Sequence, residues 1–190
     1  MDKMRVVAIA GSLRQASYNR GLLRAAVAVA PAWMVLDVFD LAPIPMYNQD
    51  VEDAGEPLSV VALKRAIREA DALLVATPEY NHGVPGILKN AIDWASRPRA
   101  TSPLKDKPVA IMGASPGRGS TARAQSQLRE TFVFTSACVM PQPELLVASA
   151  ASLFDDQGDL TDDGTRASIA ELVEALRAWT IRLGRPSAAA

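Results

Sequence analysis

The chain has 190 residues, of which 49% are hydrophobic, and a formal net charge of -1. A chain of this length forms about one domain and has enough apolar material for a sizeable core. Its near-neutral charge gives no reason to expect nucleic acid or an anionic membrane surface as a partner. The single cysteine, Cys138, excludes an internal disulfide, and the single histidine, His82, argues further against a zinc site.

We expect neither a signal peptide nor a membrane span in this sequence. The first predicted strand begins within a few residues of Met1, which leaves no room for a signal peptide. No apolar run approaches the roughly 18 residues that a membrane-spanning helix requires. We therefore expect a cytoplasmic protein without membrane contact.

The chain opens with a short apolar run, residues 6–10, which predicts a strand of a parallel sheet that is covered on both faces. Gly11 follows and lets the backbone turn. Beyond it lie hydroxyl, guanidinium and amide donors: Ser12, Arg14, Ser17 and Asn19. These donors stand beside the start of the next predicted helix, whose free N–H groups and positive dipole end attract anions. The pattern favours a phosphate-binding loop.

The residue types of this loop restrict the phosphate that it binds. It lacks the lysine and adjoining hydroxyl of a triphosphate loop, and it lacks the three glycines of a dinucleotide loop. Side-chain donors in place of glycines suit a monoester with three exposed oxygens, such as the phosphate of FMN. The alternative is an ordinary polar loop in which Ser17 or Asn19 only caps the helix.

Further elements alternate along the chain. Helical spacing of apolar residues after the loop ends at Pro31, because the residue before a proline is pushed out of the helical region. Residues 34–39 predict a second strand. The segment 41–55 is long for a connection, which is more often functional than accidental. Pro57 opens the next predicted helix, and residues 72–76 predict a third strand.

The third strand runs into a loop with two prolines and two glycines, residues 77–86. Such a loop can aim backbone amides rigidly at a planar ligand. The helix that follows has apolar residues over an arc of roughly 160°, whereas a helix needs roughly 100° to cover a sheet. Either a subunit contact or a deeply seated helix accounts for the excess.

The remaining elements complete an alternating pattern. Residues 108–112 predict a fourth strand, which is followed by a loop, 113–119, and a helix. A fifth strand falls at 137–139 or at 145–147, because prolines interrupt the stretch between them. The last helix is expected to begin near Asp162 and to end at Gly184. We expect one domain over residues 1–185 and a disordered tail at 186–190.

Five strands that alternate with helices imply a single parallel sheet with helices on both faces. In open sheets of this kind the ligand lies beyond the carboxyl ends of the strands, where the strand order reverses. The loops after the first, third and fourth strands all lie at that edge. Their convergence predicts the ligand site.

Several motifs of the chain form a larger pattern. They are Gly11-Ser12-Leu13-Arg14 with Ser17 and Asn19, Pro78-Glu79-Tyr80-Asn81 with Gly83, Pro85-Gly86 and Lys89-Asn90-Ala91-Ile92-Asp93-Trp94, and Ser115-Pro116-Gly117. Over nearly the whole chain, this pattern resembles the NADPH-dependent FMN reductase family of flavodoxin-like quinone, azo-dye and chromate reductases. The resemblance implies a flavodoxin-like three-layer α/β sandwich with strand order 2-1-3-4-5. It also implies noncovalent FMN, NADPH or NADH as hydride donor, and a homodimer or homotetramer with the flavin near the interface.

The resemblance also assigns roles to residues. Those that would hold the FMN phosphate are Ser12, Arg14, Ser17 and Asn19. Those that would surround the isoalloxazine ring are Pro78, Glu79, Tyr80, Asn81, Gly83 and Ser115, with Gly83 permitting close approach. Tyr47 and Asn48 resemble the interface segment near the flavin. Two departures, Gly119-Ser120 in place of paired glycines and His82 in place of a small residue or an arginine, leave the nicotinamide and acceptor contacts open.

The activity that the resemblance implies is hydride transfer from the nicotinamide to FMN, followed by electron transfer to a small-molecule acceptor. That acceptor is a quinone, an azo compound, a metal oxyanion or free flavin. Because the cofactor performs the demanding step, no catalytic side chain is obligatory. We expect backbone N–H groups near Asn81 and Gly83 to stabilise negative charge on the reduced ring.

Two other functions compete with a reductase. A nonenzymatic flavodoxin-type electron carrier shares the fold, but such carriers are commonly strongly acidic. A serine hydrolase would use Gly113-Ala114-Ser115-Pro116-Gly117 as its nucleophile turn. Pro116 has no N–H for an oxyanion, and His82 precedes Ser115, the reverse of the order in α/β-hydrolases.

Overall fold

A computed structural model of the chain describes residues 3–184, and one sheet runs through them. The strands are β1 (Met4–Ala10), β2 (Met34–Phe39), β3 (Ala72–Ala76), β4 (Pro108–Ala114), β5 (Cys138–Val139) and β6 (Leu145–Val147). All pairings are parallel, and the order is β2-β1-β3-β4-β5, with β6 also paired to β4. The predicted strand order is confirmed.

Helices cover both faces of the sheet. They are α1 (Tyr18–Val29), α2 (Gln49–Ala54), α3 (Leu58–Glu69), α4 (Gly86–Ala95), α5 (Ala122–Phe134) and α6 (Asp163–Arg182). Apolar residues of α1 and α6 join one core, and those of α3, α4 and α5 join the other. Alternate β1 residues point into opposite cores, Val6 into the first and Val7 into the second. The result is a three-layer sandwich.

The edge beside β4 explains why the fifth strand was ambiguous in the sequence, because both candidate segments form. β5 pairs with Pro108 and Val109 at the start of β4, and β6 pairs with residues 112–114 at its end. Side chains of α5 bond to the carbonyls near the interruption. Gln125 donates to the Leu145 carbonyl at 3.0 Å, and Arg129 donates to that of Met140 at 2.8 Å.

The width of the apolar arc on α4 follows from its position within the single chain. Five of its apolar residues are at most 2% exposed: Leu88, Ala91, Ile92, Trp94 and Ala95. Trp94 also donates its indole N–H to the Pro45 carbonyl at 2.9 Å. A deeply seated helix therefore accounts for the arc.

Other boundaries confirm or extend the prediction. The long segment 41–55 contains the short helix α2, which the sequence pattern did not predict; Asn48 caps it by accepting the Asp50 N–H at 2.9 Å. Asp162 begins α6 as predicted and accepts the Thr165 N–H at 2.6 Å.

The predicted tail, 186–190, lies outside the described residues, so the domain limits stay a prediction. None of the described helices is long and apolar enough to cross a membrane.

Candidate active site

Three loops meet at the carboxyl edge of the sheet, as predicted. We call them the first loop (residues 11–17), the hairpin loop (77–85) and the third loop (115–121). The Tyr80 hydroxyl of the hairpin loop donates to Ser12 Oγ of the first loop at 3.4 Å. Glu79 of the hairpin loop bonds to the start of α5, directly after the third loop.

The first loop presents donors. Ser12 and Ser17 are buried, and Ser17 is the N-cap of α1 without making a side-chain capping bond. The Arg14 guanidinium lies 5.2 Å from the Tyr18 ring centroid and has no carboxylate partner among residues 3–184. Two hydroxyls and a guanidinium therefore stand beside the free N–H groups of the helix start. This donor set suits a phosphate dianion.

The charges around the start of α1 favour an anion there. The first turn of α1 holds no acidic residue, and it contains the half-buried Arg20. A cation at the positive end of a helix dipole is unfavourable unless an anion lies nearby. Arg20 and Asp40 also line a cavity of about 250 Å³ beside Ser12. Sequence reasoning missed Arg20, although an arginine in a helical first turn that lacks acids was a usable signal.

The Asn19 side chain is engaged elsewhere. Its Nδ2 donates to the Ala114 carbonyl and its Oδ1 accepts the Ala114 N–H, both at 2.9 Å, and the residue is 2% exposed. Both polar atoms of the amide thus join α1 to the end of β4. Only the backbone N–H of Asn19, in the first turn of α1, is left for a phosphate.

The hairpin loop turns sharply at its tip. Tyr80 and Gly83 exchange backbone hydrogen bonds of 3.1 and 2.9 Å. The two residues between them, Asn81 and His82, have φ of 50° and 62°, as a type I′ turn requires. The Gly83 N–H is therefore used within the turn and is not available to a reduced ring, whereas the expectation for the N–H groups near Asn81 stays a prediction. The Tyr80 side chain remains 52% exposed at the edge of the site.

Glu79 points its carboxylate towards the start of α5. Its Oε2 accepts the backbone N–H groups of Arg123 at 2.9 Å and Ala124 at 3.2 Å, and the Arg123 guanidinium lies 3.3 Å from Oε1. Burial by itself raises the pKa of Glu79, but these hydrogen bonds outweigh it and hold the pKa below its ordinary value. The side chain caps α5, so only the Glu79 backbone is available to line a ring.

Gln127, on the second turn of α5, clamps the tip of the hairpin loop. Its Oε1 accepts the Val84 N–H at 3.1 Å, and its Nε2 donates to the His82 carbonyl at 3.4 Å. A Cβ at Gly83 would lie 3.1 Å from the same Oε1. The close approach that Gly83 permits within the chain is thus to Gln127. Sequence reasoning missed Gln127, because nothing local distinguishes it from any exposed helical glutamine.

The third loop is built around Ser115. Its backbone N–H donates to the Val147 carbonyl at 3.0 Å, and its own carbonyl accepts from Ala150 at 3.1 Å. Its Oγ accepts the Gly117 N–H at 3.2 Å, which leaves the hydroxyl proton to donate. This bonding fits a donor to a ligand, whereas a hydrolase nucleophile gives its proton to a base.

Asn90 and Trp94 of α4 hold the segment before α2 in place. Asn90 accepts the Tyr47 N–H at 2.7 Å and donates to the Pro45 carbonyl at 2.8 Å, which Trp94 also bonds. The Tyr47 hydroxyl donates to Glu52 at 2.8 Å. Burial, followed by this hydrogen bond, raises the pKa of Tyr47 above its ordinary value.

The residues present fit a phosphate monoester that carries a planar ring. The first loop supplies hydroxyl and guanidinium donors, and the exposed Tyr80 ring stands one hydrogen bond away from Ser12. The first loop also packs closely against the hairpin loop and α4, since a Cβ at Gly11 would lie 3.2 Å from both Pro78 Cδ and Leu88 Cδ2. FMN has both of the required parts.

Comparisons with known proteins identify relatives of this chain. The sequence model of the NADPH-dependent FMN reductase family matches residues 4–152. The chain is 48% identical over 182 residues to an NAD(P)H-dependent FMN reductase of Pseudomonas aeruginosa, covering 96% of this chain and 98% of that protein. It is 40% identical over 180 residues to a quinone reductase of Pseudomonas putida, covering 95% and 96%. The solved structure of FerB, a flavoenzyme NAD(P)H:(acceptor) oxidoreductase from Paracoccus denitrificans, has a TM-score of 0.85 and 35% identity, covering 94% and 98%.

Proposed function

Because the chain belongs to the NADPH-dependent FMN reductase family, we propose that it passes electrons from NAD(P)H to a quinone through FMN held at the three loops. Family membership makes the protein an oxidoreductase that depends on FMN and NAD(P)H. The relative from Pseudomonas putida is named a quinone reductase, which supports a quinone as acceptor. The observation that carries the proposed site is the donor set of the first loop beside the exposed Tyr80 ring.

The first loop is the phosphate site of this proposal. Ser12 and Ser17 donate their hydroxyls, Arg14 its guanidinium, and Asn19 its backbone N–H. Arg20 adds positive potential from the first turn of α1. A doubly charged phosphate would be stabilised by these groups and by the helix dipole.

The hairpin and third loops form the ring site. Pro78, Tyr80 and the backbone of Glu79 and Asn81 line one side, and Ser115 offers its free hydroxyl proton from the other. Gly83 belongs to the site through the turn that it closes rather than through its N–H. When bound, FMN supplies the hydride acceptor and electron donor, and the chain binds and orients it and keeps water from one side. No side chain is required as a base.

We also propose a homodimer or homotetramer whose interface includes the segment held by Asn90 and Trp94. Met46 is 74% exposed in this segment, and Val51 of α2 is 39% exposed. Exposed apolar side chains at this position suit a contact with a second copy of the chain. A cytoplasmic location stays a prediction of the sequence.

A steady-state assay without partner proteins tests the proposed function. The purified protein, supplied with FMN, is mixed with NADPH and a benzoquinone, and the oxidation of NADPH is followed. We expect turnover that depends on both FMN and the quinone. A protein that binds FMN and is inert in this assay would be an electron carrier, whereas faster turnover with an azo dye, chromate or free flavin would replace the quinone as the acceptor.

A further inference from the structure

A compact turn far along the chain packs against the first loop. We call residues 154–160 the buttress turn. Phe154 and Leu160 form an antiparallel bridge at its ends. Within it, the Asp155 carboxylate accepts the N–H groups of Gln157 at 2.9 Å and Asp159 at 2.8 Å. These bonds make the turn a structured unit that can support another segment.

Two glycines allow the buttress turn to approach the first loop and α1 backbone to backbone. Gly158 has a φ of +78°, and a Cβ there would lie 2.7 to 2.9 Å from the Ala16 backbone C, O and Cα atoms. A Cβ at Gly21, on the first turns of α1, would overlap the Gly158 carbonyl oxygen. A side chain at either glycine would therefore force the backbone to shift.

Arg24 of α1 fastens the buttress turn in this position. Its Nη2 donates to the Gly158 carbonyl at 2.8 Å and to the Gln157 carbonyl at 3.4 Å, and its Nε bonds to the Asp159 carboxylate. An arginine fork that meets two carbonyls and a carboxylate fixes both the distance and the orientation of its partners.

An aromatic contact links the buttress turn, through Tyr18, to Arg14 of the first loop. The rings of Phe154 and Tyr18 lie 5.0 Å apart between centroids, and the Arg14 guanidinium lies 5.2 Å from the Tyr18 centroid. By contrast, residues 12–17 form few backbone hydrogen bonds with one another. Among the described residues, the Ser17 N–H bonds to the Arg14 carbonyl at 3.2 Å, which closes one turn. The shape of the first loop therefore depends on what packs against it.

We propose that the buttress turn holds the first loop in its phosphate-binding shape, with Gly158 as the positioning residue and Arg24 as its fastener. This inference rests on the proposed function, because it assigns the phosphate of FMN to that loop. A loop that is already in its bound shape loses less conformational freedom when the ligand arrives, which increases affinity. The effect concerns the phosphate, so the flavin ring alone should not benefit from it.

Riboflavin, which shares the ring of FMN and lacks the phosphate, separates the two contributions. The dissociation constants of FMN and riboflavin are measured by flavin fluorescence for the natural protein and for Gly158→Ala. We expect the variant to bind FMN about tenfold more weakly, equivalent to one lost hydrogen bond to a charged group, and to bind riboflavin unchanged.

Gly184→Ala is a matched control. Gly184 has a φ of +69°, close to that of Gly158, but no described residue lies within 4 Å of its Cβ position. Both substitutions place a side chain at a positive φ, whereas only Gly158→Ala displaces Ala16. We expect Gly184→Ala to change neither dissociation constant.

Arg24→Lys tests the same inference without a clash. Lysine keeps the positive charge and cannot reproduce the fork, so we expect at least about threefold weaker FMN binding and unchanged riboflavin binding. If Gly158→Ala does not fold, as far-UV circular dichroism would show, Arg24→Lys decides. An unchanged ratio of the two dissociation constants in the folded variants would overturn the inference. A natural protein that binds FMN no more tightly than riboflavin would instead contradict the phosphate site itself.

Discussion

The Glu79 carboxylate accepts the backbone N–H of Arg123 at 2.9 Å and thereby caps a helix that begins far along the chain. Thr121, the residue at the N-cap position of α5, makes no side-chain capping bond of its own. The carboxylate also lies at the positive end of the helix dipole. One interaction therefore stabilises α5 and ties the hairpin loop to the third loop.

The cap should make stability depend on pH. In the folded protein the pKa of Glu79 lies below its ordinary value of about 4.5. The carboxylate therefore contributes stability above that value, and the contribution is lost as the pH falls through the lower, folded-state pKa. We expect Glu79→Gln to lower the free energy of unfolding by about 1 kcal/mol at neutral pH.

Urea unfolding of both proteins between pH 3 and pH 7 measures this difference. Other carboxylates titrate equally in the two proteins, so the difference isolates Glu79. It should shrink towards zero at the acid end of the range. A difference that does not change with pH would show that the charge of Glu79 is not what stabilises α5.

Asn19→Ala should destabilise the fold strongly. The substitution leaves the buried N–H and carbonyl of Ala114 without their partner, at a cost of about 2–3 kcal/mol in the free energy of unfolding. Asn48→Ala is the control, since it removes a cap from the short, exposed helix α2 and should cost about 1 kcal/mol or less. Urea unfolding measures both. An Asn19 variant of normal stability that binds FMN weakly would instead assign the amide to the phosphate.

Gln127→Leu should loosen the tip of the hairpin loop. It removes both bonds of the clamp, to Val84 and to His82, while leaving an exposed helical residue of good propensity. We expect FMN affinity to fall by about 1 kcal/mol, a typical value for a hydrogen bond, with little change in the thermal midpoint. Glu130→Gln, one turn further along α5, should leave the affinity unchanged. Equal affinities for all three proteins would exclude Gln127 from positioning the ring.

Arg14→Ala should weaken FMN binding by about 1.5–3 kcal/mol, the contribution of a hydrogen bond between charged groups. The control is Arg177→Ala, on α6. Arg177 also stacks on an aromatic ring, since its guanidinium lies 4.8 Å from the Trp33 ring centroid. Fluorescence titration at two salt concentrations measures the effect. The loss should be larger at low salt, because screening weakens the attraction between the guanidinium and the phosphate. Unchanged FMN affinity would remove Arg14 from the site.

The sheet and the place of the site were predictable because their signals are local. Buried parallel strands appear as short apolar runs, and parallel strands deliver their following loops to one edge. That rule places the hairpin loop beside the first loop, where the structure shows Tyr80 bonded to Ser12, 68 positions away in the sequence.

The partners of individual polar side chains were not predictable. Asn19 and Glu79 are donors or acceptors in a loop region, and their sequence neighbours do not reveal whether they meet a ligand or a backbone. Their partners lie 95 and 44 residues away. The turn at Asn81 and His82 likewise engages the Gly83 N–H in a bond that the sequence pattern does not reveal. The split edge strand was ambiguous for a different reason, because both segments pair directly with β4, one at its start and one at its end.

The ³¹P resonance of FMN mixed with the purified protein tests the central claim, that the first loop holds the phosphate as a dianion. The second pKa of a free phosphate monoester is about 6. Donors that stabilise the dianion lower this pKa, so the bound resonance should keep its dianion position from neutral pH down to pH 5, and it should titrate again in Arg14→Ala. A bound phosphate that titrates near pH 6, as free FMN does, would contradict the account.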